Sequence, residues 1–183
     1  LLLTTPALDI INSYLIPGLD EVGKKYESGQ LFLPQLIQSA ETTKAAFAVL
    51  KESIAASGEG GGKGPILLAT VEGDVHDIGK NIVKVVMESY GYQVIDLGKD
   101  VPSERIVEAY LRYRPKMIGL SALMTTTVAS MARTIERLKE IEGMCPILVG
   151  GAVLTNDAAL EIHADYYAGD ALAAVETVQR LIP

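Results

Sequence analysis

From residue 65 onward the apolar positions of this 183-residue chain switch repeatedly between two periods. Short, largely apolar runs at Ile66 to Val71, Gln93 to Leu97, Met117 to Leu123, Pro146 to Val149 and Tyr166 to Ala168 read as buried strands. Amphipathic stretches separate and follow them: Ile78 to Tyr90, stopped by Gly91; Ser103 to Arg112, with Ser103 as the N-cap; Thr126 to Ile141; Asn156 to His163; and Ala171 to Ile182. Strands alternating with helices in this way predict an α/β fold with a five-stranded parallel sheet, both faces covered through right-handed crossovers.

The first third has the helical period alone. Leu8, Ile11 and Leu15 recur at helical spacing until Pro17-Gly18 breaks the pattern, and a second helix, Leu19 to Glu27, stops at Ser28-Gly29. A third runs from Leu33 to Ile54, with Pro34 in its first turn and Leu36, Ile37, Ala40, Ala45, Phe47 and Leu50 on its apolar face. Roughly fifty residues of helix bury too little surface to stand comfortably alone. The glycine-rich stretch Ser57 to Gly64 cannot hold a helix and reads as a linker. The expected organisation is therefore a helical domain over 1–56, a linker over 57–64 and an α/β domain over 65–183.

Composition narrows the function classes. With 23 acidic against 16 basic side chains, a net charge of −7 and no basic run, neither a nucleic-acid backbone nor an anionic membrane surface is an expected partner. No apolar stretch approaches the eighteen or so residues of a membrane helix. The single cysteine, Cys145, makes neither an internal disulfide nor a thiolate cage, so a cytoplasmic location is the default. The opening, LLLTTPALD, has no initiator Met and no basic region before its apolar residues. It reads as neither signal peptide nor anchor, and suggests a chain that starts part-way through a longer helical domain.

The polar and small residues gather where predicted strands end, which in parallel sheets is where ligands sit. They are Glu72 to Asn81 after the first strand, Ser121 to Thr127 after the third, and Gly150-Gly151 after the fourth. In the first loop an imidazole at His76 can hold a metal through one ring nitrogen while the other donates to Asp74, with Asp77 the weaker choice of partner. Gly79 would let a bulky ligand approach the helix start. Without a ligand, the same loop is a histidine bonded to a helix-capping aspartate. A lone imidazole is a poor site for free zinc, so a metal here should arrive held by a macrocycle.

Asp74-x-His76-x-x-Gly79, Ser121-x-Leu123 and Gly150-Gly151, in this order, resemble the DxHxxG…SxL…GG signature of cobalamin-binding domains. GDVHDIGKNIV is similar to corrinoid proteins that carry methyl groups, such as the cobalamin module of methionine synthase. YESGQLFLPQLIQSAE, from Tyr26 to Glu41, resembles the helical cap that precedes the domain in those carriers. The resemblance implies a flavodoxin-like, Rossmann-like domain behind a partial helix bundle, shorter than the family's four-helix cap. It implies cobalamin, as methylcobalamin or a related corrinoid, bound base-off with His76 as the lower cobalt ligand.

On that resemblance Asp74, His76 and Thr127 form a ligand–carboxylate–hydroxyl relay, with threonine where methionine synthase has serine. His76 would leave cobalt, and the relay take up a proton, when the methyl departs. Asp77, Ile78, Gly79, Ser121, Leu123, Thr125, Gly150 and Gly151 would line the cofactor crevice, the two glycines to admit its nucleotide tail. Phe32 and Leu36 would lie over the cobalt-bound methyl, against a plain reading as helix-packing residues. The implied partners are a substrate-specific methyltransferase, a tetrahydrofolate-type acceptor methyltransferase, a reductive activator and, as homodimer, a second copy. Candidate donors are methanol, methylamines, aryl methyl ethers, betaines and thiols. A cobalamin-dependent regulator would need a basic DNA-binding helix pair, absent from this acidic chain; an adenosylcobalamin isomerase subunit is disfavoured by the cap. A cofactor-free flavodoxin-like binder is the fallback. His163, Cys145, Tyr90, Tyr110 and Tyr113 read as structural.

Overall fold

A computed structural model of the chain describes residues 4–5, 7–57 and 62–182. It falls into two compact units, one gathering residues 1–62 and 85–92 and the other 63–84 and 93–183. Residues 58–61 of the glycine-rich stretch lie outside the described residues.

The helical unit consists of α1 (Ala7–Ile10), a π-helical turn (Ile11–Leu15), α2 (Ile16–Glu27) and α3 (Leu33–Ser57), with α3 packed on α1 and α2. Pro17-Gly18 does not break the helix as its composition predicts. Proline lacks an N–H and crowds the carbonyl four residues back; the wider π turn immediately before it relieves that conflict, and Pro17 sits in the first turn of α2. Gly29, at φ 73°, closes α2. The Gln35 side chain reaches back to accept the Phe32 N–H at 2.7 Å, one half of a capping box that starts α3. Leu19, Leu36, Ala40 and Leu50 are buried. The side chains of Leu8, Ile11 and Phe47 lie outside the described residues.

The remaining elements are β1 (Lys63–Thr70), α4 (Ile78–Ser89), β2 (Tyr92–Asp96), α5 (Ser103–Tyr113), β3 (Met117–Ser121), α6 (Thr125–Lys139), β4 (Ile147–Gly150), α7 (Asn156–Glu161), β5 (Tyr166–Ala168) and α8 (Ala171–Leu181), all in the second unit apart from residues 85–92 at the end of α4 and the start of β2. The five strands form one sheet in the order β2-β1-β3-β4-β5. The pairs β1–β3, β3–β4 and β4–β5 are parallel, with Thr70 opposite Ser121 and Ser121 opposite Gly150. On one face Leu67, Ala69, Ile118, Leu120, Ile147 and Val149 make a core with Ile106 and Tyr110 of α5 and Met131, Ile135 and Leu138 of α6. On the other face Leu68 lies over Gly119, where an added Cβ would come within 2.5 Å of Leu68 Cδ2.

Ser103 is not the N-cap of α5. Pro102, extended at φ −58° and ψ 146°, holds that place, and the Ser103 hydroxyl accepts from Arg137 Nη1 at 2.8 Å. Helices α7 and α8 are capped by the Thr155 hydroxyl and the Asp170 carboxylate, accepting from Ala158 N and Ala173 N. Strand order reverses between β1 and β3, so their carboxyl ends flank the topological switch point.

Candidate functional site

The loop between β1 and α4 is built around a carboxylate. Asp74 has no exposed surface and accepts from five donors: Leu123 N at 2.6 Å, Met124 N at 3.3 Å and Thr127 Oγ1 at 2.8 Å on Oδ2, and His76 N at 3.0 Å and His76 Nδ1 at 2.8 Å on Oδ1. Burial alone would raise its pKa. The Leu123 and His76 N–H groups, the Thr127 hydroxyl and the His76 ring outweigh that and hold the carboxyl well below the usual carboxylate range. Asp74 is therefore an anion that only accepts, so the proton of a neutral His76 ring sits on Nδ1 and the lone pair is left on Nε2. The His76 side chain is 47% exposed, and Nε2 has no partner among the described residues.

These contacts also explain where local expectations miss. Strand β3 ends short of Leu123 because, after the Ala122 N–H reaches Gly150 O, the N–H groups of Leu123 and Met124 turn to Asp74 instead of extending the ladder. No hydroxyl of the Thr125–Thr127 run caps α6. Met124 occupies the cap position without a side-chain bond, and the Thr127 hydroxyl lies between Asp74 Oδ2 and Met124 O, 2.8 Å from each.

His76 stands at the mouth of a cavity of about 620 Å³ at the carboxyl ends of β1, β3, β4 and β5. Asp77, Gly79, Ser121, Leu123, Gly150 and Gly151 line it as well. Its buried wall is apolar, from Leu68, Leu120, Leu148, Val149, Ala168 and Ala174. Thr125 is exposed at the start of α6 and does not line the cavity; the Ile78 side chain lies outside the described residues. Phe32 and Leu36 belong to the helical unit, the first 72% exposed and the second buried.

Three polar lining residues escaped the sequence reading. Lys80 is buried and places Nζ 2.5 Å from Asp96 Oδ1 and 2.9 Å from Asn81 Oδ1. Burial opposes ionisation of Asp96, but Lys80, the Gly98 N–H and Lys84 more than offset it and lower its pKa. Lys99 and Asp170 complete the set. Lys80 directly follows the Gly79 of the motif, and that adjacency was its available signal. Of the residues set aside, Cys145 has its thiol pushed up to about 11 by burial, which suits packing rather than nucleophilic chemistry. His163 is exposed in a left-handed turn after α7.

Among the described residues no group of three or more His, Cys, Asp and Glu side chains could hold a bare metal ion, and no helix is long and apolar enough to cross a membrane. The crevice leaves room for a ligand beside the start of α4. An added Cβ at Gly79 would meet no protein atom within 4 Å, so the open space beside it is not filled by the protein's own packing.

Comparison with known proteins shows the family and the fold. Residues 64–177 match a B12 binding domain family, and residues 1–51 match a second B12 binding domain family. The chain is 42% identical over 177 residues, 95% of its own length and 83% of the relative's, to a dimethylamine corrinoid protein of Methanosarcina barkeri. A cobalamin-binding protein of Desulfitobacterium hafniense superposes with a TM-score of 0.84 at 33% identity, over 97% of this chain and 83% of that one. A methanol:cobalamin methyltransferase complex of Methanosarcina barkeri superposes with a TM-score of 0.81 at 32% identity, over 96% of this chain and 67% of that one. The chain thus belongs to the corrinoid proteins with a B12-binding domain, and its cofactor is a corrinoid.

Proposed function

We propose that this chain carries a methyl group between two methyltransferases, holding its corrinoid base-off with His76 as the lower ligand of cobalt. When bound, the corrinoid supplies a cobalt centre that accepts a methyl group and gives it up again. The observation that carries the reading is the fixed tautomer of His76. A buried, ionised Asp74 holds the proton on Nδ1 and leaves Nε2 with its lone pair at the cavity mouth.

The remaining roles follow from position. Thr127, Leu123 and Met124 hold Asp74, and Asp74 orients His76. If released from a metal, His76 would have its Nε2 lone pair free to take up a proton, with Asp74 and Thr127 holding the ring in place. Ser121, Asp77, Gly150 and Gly151, with the apolar wall behind them, receive the nucleotide tail. We assign the helices up to Ser57 as the cap and the chain from β1 onward as the cobalamin domain, the expected linker over 57–64 being narrower than its composition implies because Ser57 ends α3 and Lys63 and Gly64 open β1; Leu36, buried within the helical unit, packs there rather than facing a methyl group. The partners are a substrate-specific methyltransferase, as the methanol complex among its relatives suggests, and a tetrahydrofolate-type acceptor enzyme. Methylamines and methanol are the donors to try first, from the names of the relatives.

Apoprotein reconstituted with hydroxocobalamin should retain one corrinoid through gel filtration and show an imidazole-ligated spectrum. His76→Ala should convert that spectrum to a form without imidazole. Methyl transfer, followed with dimethylamine- and methanol-specific methyltransferases and a tetrahydrofolate-dependent acceptor, should proceed with one donor enzyme and stop with His76→Ala. No retained corrinoid, or an unchanged spectrum in the variant, rejects the assignment.

Gly79→Ala separates binding from folding. The new methyl meets no protein atom and replaces glycine in the first turn of α4, so apoprotein stability should hold or rise by up to about 1 kcal/mol. Corrinoid affinity, read by titration, should fall by roughly tenfold or more, because the methyl takes space the ligand needs. Unchanged affinity would show that the ligand does not approach Gly79.

A further inference from the structure

We propose that Asp100 is a positioning residue that clasps the His76 loop in place. The inference rests on the reading of His76 as cobalt ligand and goes beyond it to what holds that ligand's loop before any cofactor binds.

The segment after β2 runs beside the end of β1. Thr70 N donates to Gly98 O at 3.0 Å and Val101 N to Thr70 O at 3.1 Å, and Val71 bridges Val101 in parallel fashion. Between these ties Asp100 touches the loop twice. Its backbone N–H donates to the Asp74 carbonyl at 2.9 Å, and its carboxylate Oδ1 accepts the Gly73 N–H at 2.7 Å. The two residues immediately before Val75 and His76 are thus gripped from a neighbouring segment, 27 residues along the chain from Gly73.

Packing does not explain Asp100. It is exposed, and it adopts φ 52°, a left-handed conformation that aspartate and asparagine tolerate better than other non-glycine residues. Opposite it Gly73 sits at φ 84°, so two left-handed residues face one another across the clasp. What an exposed residue in that conformation supplies is its pair of hydrogen bonds. Their effect is to present Asp74 and His76 already folded toward the cavity, with less ordering left to occur on binding.

Three variants separate the parts. Asp100→Gly keeps the backbone conformation and its N–H and removes only the acceptor. Asp100→Asn keeps an acceptor oxygen and tolerates the same φ, and Asp100→Ala removes the acceptor and adds strain. In the apoprotein, hydrogen exchange of the amides from Gly73 to His76 should quicken by roughly tenfold in Asp100→Gly, more in Asp100→Ala, and by about twofold or less in Asp100→Asn. After reconstitution with hydroxocobalamin, the imidazole-ligated fraction at fixed pH should fall in the same order. Wild-type exchange at 73–76 in Asp100→Gly overturns the proposal. So does equal quickening in β5 and α8, which marks a global loss of stability, and so does an Asp100→Asn variant as impaired as Asp100→Gly. If His76→Ala leaves the spectrum unchanged, the ligand assignment fails while the apoprotein exchange still decides the role of Asp100.

Discussion

Replacing Asp74 by alanine should destabilise the α/β unit by roughly 3–5 kcal/mol and abolish imidazole ligation in the reconstituted protein. Alanine leaves the Leu123 and Met124 N–H groups and the Thr127 hydroxyl without their acceptor in a place water does not reach, and frees the His76 ring to rotate. Asparagine discriminates between the two effects. With its oxygen toward Leu123 and Thr127, its amide must point at His76, making Nδ1 an acceptor and moving the ring proton to Nε2. That nitrogen then has no lone pair for a metal. Asp74→Asn should therefore keep more stability than Asp74→Ala in urea unfolding and still lose the imidazole-ligated spectrum. Retention of that spectrum by Asp74→Asn would refute the tautomer argument.

The same carboxylate gives the apoprotein a pH signature. Its folded pKa lies below the unfolded value of about 4. Its contribution to stability is thus fully present above the unfolded pKa and is lost as pH falls through the folded one. Asp96, held down by Lys80, acts in the same direction. Unfolding free energy should decline below about pH 5, and the decline should be shallower in Asp74→Ala, which removes one of the contributing carboxylates. Equal slopes in wild type and variant would mean that Asp74 is not ionised in the folded protein.

The order of strands and helices was legible because each buried parallel strand is a short apolar run and each helix carries its own period. The His76–Asp74–Thr127 constellation was legible only through the resemblance to cobalamin-binding domains, since Asp74 and Thr127 are 53 residues apart and no local period joins them. Boundaries were misjudged where chemistry overrides propensity. Leu123 and Met124 turn from the strand to a carboxylate, Pro17 is absorbed by a π turn, and Pro102 displaces Ser103 from a cap. Lys80 with Asp96 and Gly73 with Asp100 were out of reach, because pairs across 16 and 27 residues leave no trace in periodicity.

Gly151→Ala should be as damaging as the loss of Asp74, for a reason different from the one its motif suggests. Small size at Gly150-Gly151 was expected to admit a ligand tail. At Gly151 the protein's own backbone makes the demand first: φ is 139°, and an added Cβ would lie 1.8 Å from Ala122 O and 2.8 Å from Ala122 C. No rotamer relieves a clash between a Cβ and a carbonyl, so one of the two loops must move. The expected cost is about 3 kcal/mol or more, read as a fall in Tm of roughly 10 °C. The damage should not stay local. Ala122 N is bonded to Gly150 O, and the next two N–H groups, of Leu123 and Met124, hold Asp74, which holds His76. The third part of the signature thus presses on the second, and the second fixes the first. Loss of imidazole ligation should accompany loss of stability in Gly151→Ala, although Gly151 touches neither Asp74 nor His76. In Gly150→Ala, where the nearest atom to the new Cβ is Ala168 O at 3.0 Å, both effects should be smaller. A Gly151→Ala protein that unfolds early and yet ligates corrinoid normally would break this chain of contacts at Ala122.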